Sequence, residues 1–196
     1  MISAQNSPSK KMQSSENKFS SFIIILAFIF VALTITFSIF YSVFSKSIFL
    51  TFAISFGTTA YHFVMRLFVG LLINKIFHNQ LNYQKKCFQE KKFEKNLYKK
   101  LKVKVWKDKM PSFAPDTFNL SLHSPEEIAC ATCQAEIIHT IIVLLSFLPI
   151  FASIFWKSFW VFFITSVLAA ALDLLFVIIQ RFNRPRILKI LRLTEK

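Results

Sequence analysis

Three short spacings in this 196-residue chain could do chemistry. Glu136-Ile-Ile-His139 places a carboxylate and an imidazole three residues apart, which on a helix is one face. His62 and Arg66 stand four apart, another shared face. Asp173 is the one acid in a long apolar run that closes on Gln180-Arg181-Phe182-Asn183-Arg184-Pro185-Arg186. A histidine oriented by a carboxylate is a competent general base near neutral pH. His139, oriented by Glu136 or by Asp173, could take the proton from an alcohol that attacks an acyl carbonyl. Arg66, Arg184 and Arg186, with His62, Gln180 and Asn183 beside them, could hold an anionic donor or headgroup. A structural reading competes with this one. Asp173 could pair with Arg66 to tie helices together, and His139 could merely donate to a backbone carbonyl.

The elements that must position these groups are membrane spans. The chain is 54% hydrophobic with 25 Phe and only two Gly, yet it carries 24 Lys and Arg against 10 Asp and Glu. Both facts hold together only if the charges lie outside the apolar runs. Runs of ~20 apolar residues cross a bilayer, and four are expected, over about 19–44, 48–73, 128–150 and 159–179. The fold class is therefore an all-α integral membrane protein, a single membrane domain over 19–196 behind a disordered cytoplasmic tail, 1–18. The run from Phe19 is too long for a signal-peptide core, so it is read as a retained span.

The basic segment 74–123 separates the second and third spans. Residues 74–109 carry twelve lysines against Glu90, Glu94 and Asp108, a net charge of 12 − 3 = +9. Phe77, Leu81, Phe88, Phe93, Leu97, Tyr98 and Leu101 recur at helical spacings among them, so an amphipathic helix on the membrane surface is expected. Val103, Val105 and Trp106 alternate with lysines and read as a short extended piece. Ser124-Pro125-Glu126-Glu127 is a helix start: a capping serine, a first-turn proline and two acids at the positive end of the dipole. Residues 181–196 carry six basic groups against Glu195, a net of 6 − 1 = +5. By the positive-inside rule, this distribution puts both termini in the cytoplasm of a multi-pass cell-membrane protein. It also makes anionic lipid headgroups at the cytoplasmic face the natural partners.

Other classes fit poorly. No polar, soluble module remains to bind nucleic acid. Cys130-Ala-Thr-Cys133 lacks the third and fourth ligands of a zinc site, and Glu136-x-x-His139 has no second copy to complete a di-metal site. No inverted repeat of a small-anion carrier is visible. Nothing in the sequence specifies an oligomeric state.

Three ordered motifs carry a resemblance. They are Val103-Lys104-Val105-Trp106-Lys107, Gln134-Ala135-Glu136-Ile137-Ile138-His139 and Gln180-Arg181-Phe182-Asn183-Arg184-Pro185-Arg186. Over about 101–191 the chain resembles the glycosyl-4,4'-diaponeurosporenoate acyltransferases of staphyloxanthin-type carotenoid biosynthesis. The resemblance implies transfer of a fatty acyl chain to a sugar hydroxyl on a membrane-bound glycosylated carotenoid, or on another lipid or glycolipid acceptor. It implies no bound cofactor, with acyl-CoA or another acyl carrier as co-substrate. It places Glu136, His139, Asn183, Arg184 and Arg186 at motif positions. The remaining alternative is a non-enzymatic lipid-binding or helper subunit whose polar residues hold helices or a partner.

Overall fold

Four apolar helices stand side by side in the computed structural model, which describes residues 8–194, with side chains from Ser20 onward. Helix α1 (Pro8–Phe44) and helix α2 (Ser47–Phe77) form a hairpin about the turn Ser45-Lys46. Phe37 meets Phe49, Phe52 and Phe56 across it, and Phe30 meets Phe56 and Phe63. Gly57 lets the helices close: a Cβ there would stand 3.2 Å from Thr34 Cγ2. The expected disordered tail over 1–18 is described from Pro8, and there it is helical. Proline costs no hydrogen bond in a first turn, and no Gly or Pro follows before Phe19. Residues 1–7 lie outside the described residues.

The segment after α2 departs from expectation. In place of one amphipathic helix there are a 3-10 turn at Lys86–Phe88, helix α3 (Glu94–Lys100), helix α4 (Val103–Trp106) and further turns. The breaks fall at His78, Asn79 and Lys102, all left-handed, with φ of 48°, 58° and 48°. The apolar residues do not all face lipid. Leu81 and Phe88 are buried in a cluster with Cys133, and Tyr98 packs edge-on against Phe182 at 5.3 Å. Residues 103–106 are a helical turn rather than an extended piece, because Val103 is fully buried while Val105 is exposed.

Helix α5 (Pro125–Leu145) starts with a complete capping box. The Ser124 hydroxyl accepts from Glu127 N at 3.2 Å, and Glu127 Oε2 accepts from Ser124 N at 2.8 Å. The expected continuous span to 150 is broken after Leu145, and helix α6 (Leu148–Trp156) resumes it. Pro149 explains the break. It has no N–H for the Leu145 carbonyl four residues back, and Tyr61 Oη donates to that carbonyl instead, at 2.9 Å. Helix α7 (Phe159–Thr194) runs without interruption through Pro185. Its buried stripe is Phe162, Ser166, Ala169, Ala170, Asp173, Gln180 and Arg184, facing α5 and α2. The four helical stretches Ser20–Phe44, Ser47–Phe77, Pro125–Trp156 and Phe159–Thr194 are long and apolar enough to cross a membrane.

Candidate functional site

Helices α2, α5 and α7 bring three of the singled-out groups to one point. His139 Nδ1 lies 2.9 Å from Asp173 Oδ1. Arg66 takes the other oxygen: Nε and Nη2 donate to Oδ2 at 2.8 and 2.6 Å, and Nη2 also donates to the Ala169 carbonyl at 3.2 Å. The Asp173 side chain is 2% exposed, against 23% for His139 and 21% for Arg66. The carboxylate is thus sealed in and shared between two partners that reach the surface of the bundle. Phe176 stacks on the imidazole at 4.8 Å and 16°. With Nδ1 held and one ring face covered by Phe176, Nε2 is the imidazole's free polar atom, and it has no hydrogen-bond partner among the described residues. An Asp173 that accepts from Nδ1–H leaves Nε2 as the lone-pair nitrogen, the form a general base needs.

Glu136 sits elsewhere. It makes no hydrogen bond to His139 and binds two arginines, Arg181 Nη1 at Oε1 and Arg184 Nη2 at Oε2, both at 2.5 Å. Arg184 is 1% exposed and lies over the Phe88 ring. It also donates to the Thr132 hydroxyl at 3.0 Å and to the Thr132 and Phe88 carbonyls at 3.0 and 2.9 Å. Arg181 donates to Glu94 Oε1 from Nε and Nη2, at 2.9 and 2.6 Å, and to the Cys87 and Gln89 carbonyls. Tyr98 completes this network by donating to Glu94 at 2.9 Å. Burial, reinforced by that bond, pushes the Tyr98 phenol well above its usual range. Nearby, Gln134 accepts from Asn79 N at 2.7 Å and donates to Asn74, which anchors the end of α2.

The remaining singled-out residues are spread out. His62 is buried one turn from Arg66, edge-on to Tyr61, and neither ring nitrogen has a partner among the described residues. Gln180 is buried on the α7 stripe. Asn183 is half-buried and makes no side-chain hydrogen bond to a described residue. Arg186 is exposed and lies 4.1 Å above the Phe182 ring. Arg181, Glu94 and Thr132 belong to the network although their spacing did not single them out. Arg181 carried a signal, since it lies eight residues beyond Asp173 and three before Arg184, close to the same helical stripe. Glu94 carried a weaker one, as one of three acids in a run of lysines.

Fold and site together define an all-helical protein with four helices fit to span a membrane and a His–Asp–Arg set, centred on a buried Asp173, where three of them meet. The glycosyl-4,4'-diaponeurosporenoate acyltransferase family model matches residues 84–193, more than half of the chain, and the chain belongs to that family. The match takes in Glu136, His139, Asp173, Gln180, Asn183, Arg184 and Arg186, and leaves α1, α2, His62 and Arg66 outside. No curated protein and no solved structure matches the chain.

Proposed function

We propose that the protein is a membrane acyltransferase that moves a fatty acyl group onto a hydroxyl of a glycosylated carotenoid or another lipid or glycolipid. The observation that carries this reading is the His139–Asp173 pair, with Nδ1 held at 2.9 Å and Nε2 unpartnered. Nε2 takes the proton of the acceptor hydroxyl as its oxygen attacks the acyl carbonyl. The bond from the carbonyl carbon to the carrier then breaks, and the imidazolium returns the proton to the departing group. Asp173 keeps the tautomer and stabilises the imidazolium, while Arg66 holds the Asp173 carboxylate in place through its two hydrogen bonds to Oδ2. Family membership supports acyl transfer as the reaction class.

The protein works in the cell membrane as a multi-pass protein, with both termini and the lysine-rich segment in the cytoplasm. The charge of that segment supports this orientation. Phe93, Leu97, Leu101 and Val105 are exposed beside its lysines, a combination suited to an anionic headgroup layer.

A second reading rests on the two-pronged Arg66–Asp173 pair, which ties α2 to α7 and would suit a helper subunit without turnover. One experiment separates the two. Wild type and His139→Ala are expressed in matched membranes, and lipid extracts are compared by mass spectrometry. The acyltransferase reading expects a species heavier by one acyl chain with wild type alone, and names its acceptor. Equal lipid profiles from two well-folded proteins would sink that reading and favour the helper subunit.

A further inference from the structure

Beyond the His–Asp–Arg set, the last three turns of α7 form one wall of a groove of about 230 Å3. Arg184, Pro185, Leu188, Lys189 and Arg192 line that wall, and Phe88 lies on the other. The cations are unequal. Lys189 and Arg192 are exposed, while Arg184 is 1% exposed. Four of the five guanidinium N–H donors of Arg184 are used, one from Nε, one from Nη1 and two from Nη2, which leaves one Nη1–H without a described partner. Glu90 also borders the groove, but it pairs with Lys95 at 3.7 Å. The groove is therefore basic, with an apolar strip made by Phe88, Pro185 and Leu188.

Distance selects among anionic ligands. Lys189 and Arg192 follow Asp173 by 16 and 19 residues on one uninterrupted helix, which is ~24 and ~28 Å along its axis. A glycerophospholipid carries its phosphate only a few bonds from its ester carbonyls. It cannot place phosphate in this groove and carbonyl beside His139. A thioester donor whose acyl group is set off from its phosphates by a long flexible arm can do both.

We infer that this groove binds the phosphate-bearing end of a long-armed acyl thioester, with the arm running along α7 toward His139. The inference rests on the acyltransferase reading for the position of the carbonyl, but the groove can be tested by binding alone. The full-length protein is placed in phosphatidylcholine nanodiscs. Coenzyme A is titrated into wild type, K189E/R192E and the charge-matched control K99E/K104E, and thermal melting is followed for each. Retention on vesicles with and without phosphatidylglycerol is measured in parallel.

Wild type and control are expected to bind coenzyme A alike, and the groove variant about tenfold more weakly. Should K189E/R192E fail to fold, K189Q/R192Q replaces it with the same expected direction. Equal coenzyme A affinity in groove and control variants overturns the inference. So does a wild type that ignores coenzyme A but depends on Lys189 and Arg192 for phosphatidylglycerol, since the groove would then hold a lipid headgroup. Groove-dependent coenzyme A binding without any transfer would leave the groove standing and sink the acyltransferase. Transfer with an unchanged donor KM in the groove variant would do the reverse.

Discussion

An imidazole held at one nitrogen has a single nitrogen left for chemistry, so the roles of Asp173 and Arg66 can be told apart by what each removes. Asp173→Asn replaces a carboxylate that both His139 and Arg66 depend on. Its amide keeps one acceptor oxygen, which the Arg66 donors claim, so the NH2 faces His139 Nδ1 and imposes the opposite tautomer, and a largely buried guanidinium loses its counter-charge. Transfer should fall by ~10²–10⁴-fold, and stability should fall by about 3 kcal/mol, seen as a lower melting temperature in detergent. Arg66→Gln removes only the second partner. It should cost similar stability but less activity, because the His139–Asp173 contact survives it. If the two variants lost activity in equal measure, the pair would be a helix tie and not a base with its positioning residue. Glu136 belongs to neither test. Its substitution should act through folding, since both of its oxygens are spent on arginines.

At the scale of elements, the lysine-rich segment is held by a few inward-facing groups and not by its lysines. Arg181 reaches out of α7 to Glu94, and to the carbonyls of Cys87 and Gln89, so one side chain pins α3 and the preceding turns. Arg181→Gln should therefore speed amide hydrogen exchange across about 80–106 while leaving the middle of α5 and α7 protected. Unchanged exchange there would show that the packing of Phe88 and Tyr98 alone suffices. The same docking has a pH limit. The Tyr98 phenol is raised by burial and by its bond to Glu94, so it favours the folded state below the ordinary phenol value of about 10 and loses that contribution as pH rises through the raised one. Exchange over α3 should be flat with respect to Tyr98 at neutral pH and rise in strong alkali, and Tyr98→Phe should blunt the rise.

The spans and the α5 cap were legible because runs of ~20 apolar residues and a Ser-Pro-Glu-Glu start have few other solutions. The segment between was not. Its helical spacing is real, but Leu81, Phe88, Tyr98 and Val103 face the bundle while Phe93, Leu97 and Leu101 face outward. No periodicity reports the left-handed breaks at Asn79 and Lys102 that permit this. The site was legible in part for a similar reason. Spacing puts Glu136 and His139 on one face, but only the long reach of Arg181 and Arg184 decides that Glu136 turns to them and leaves Asp173 to the histidine.

Across the whole molecule, the bonds from Arg181 to Glu94, Cys87 and Gln89 bring the +9 segment and the +5 tail to the same end of the bundle. The opposite end has Lys46 and Lys157 as its cations, each in a tight turn between apolar helices. This asymmetry predicts the orientation, because lysine-rich loops are retained on the cytoplasmic side. Cys87 is exposed at the basic end and offers a natural probe. With Cys130 and Cys133 replaced by Ser, a membrane-impermeant maleimide should label Cys87 only in inverted vesicles. On a background that also carries Cys87→Ser, K157C should be labelled only on intact cells. The consequence reaches back to the chemistry. His139 lies three residues from Glu136, the group that binds the arginines of the basic end, so the His139–Asp173 pair sits in the half of the bundle nearer that end. A cytoplasmic basic end gives it access to soluble acyl thioesters made in the cell. The reverse labelling pattern would place the pair in the outer leaflet, where only a lipid could bring the acyl group, and the long-armed donor would fall with the orientation.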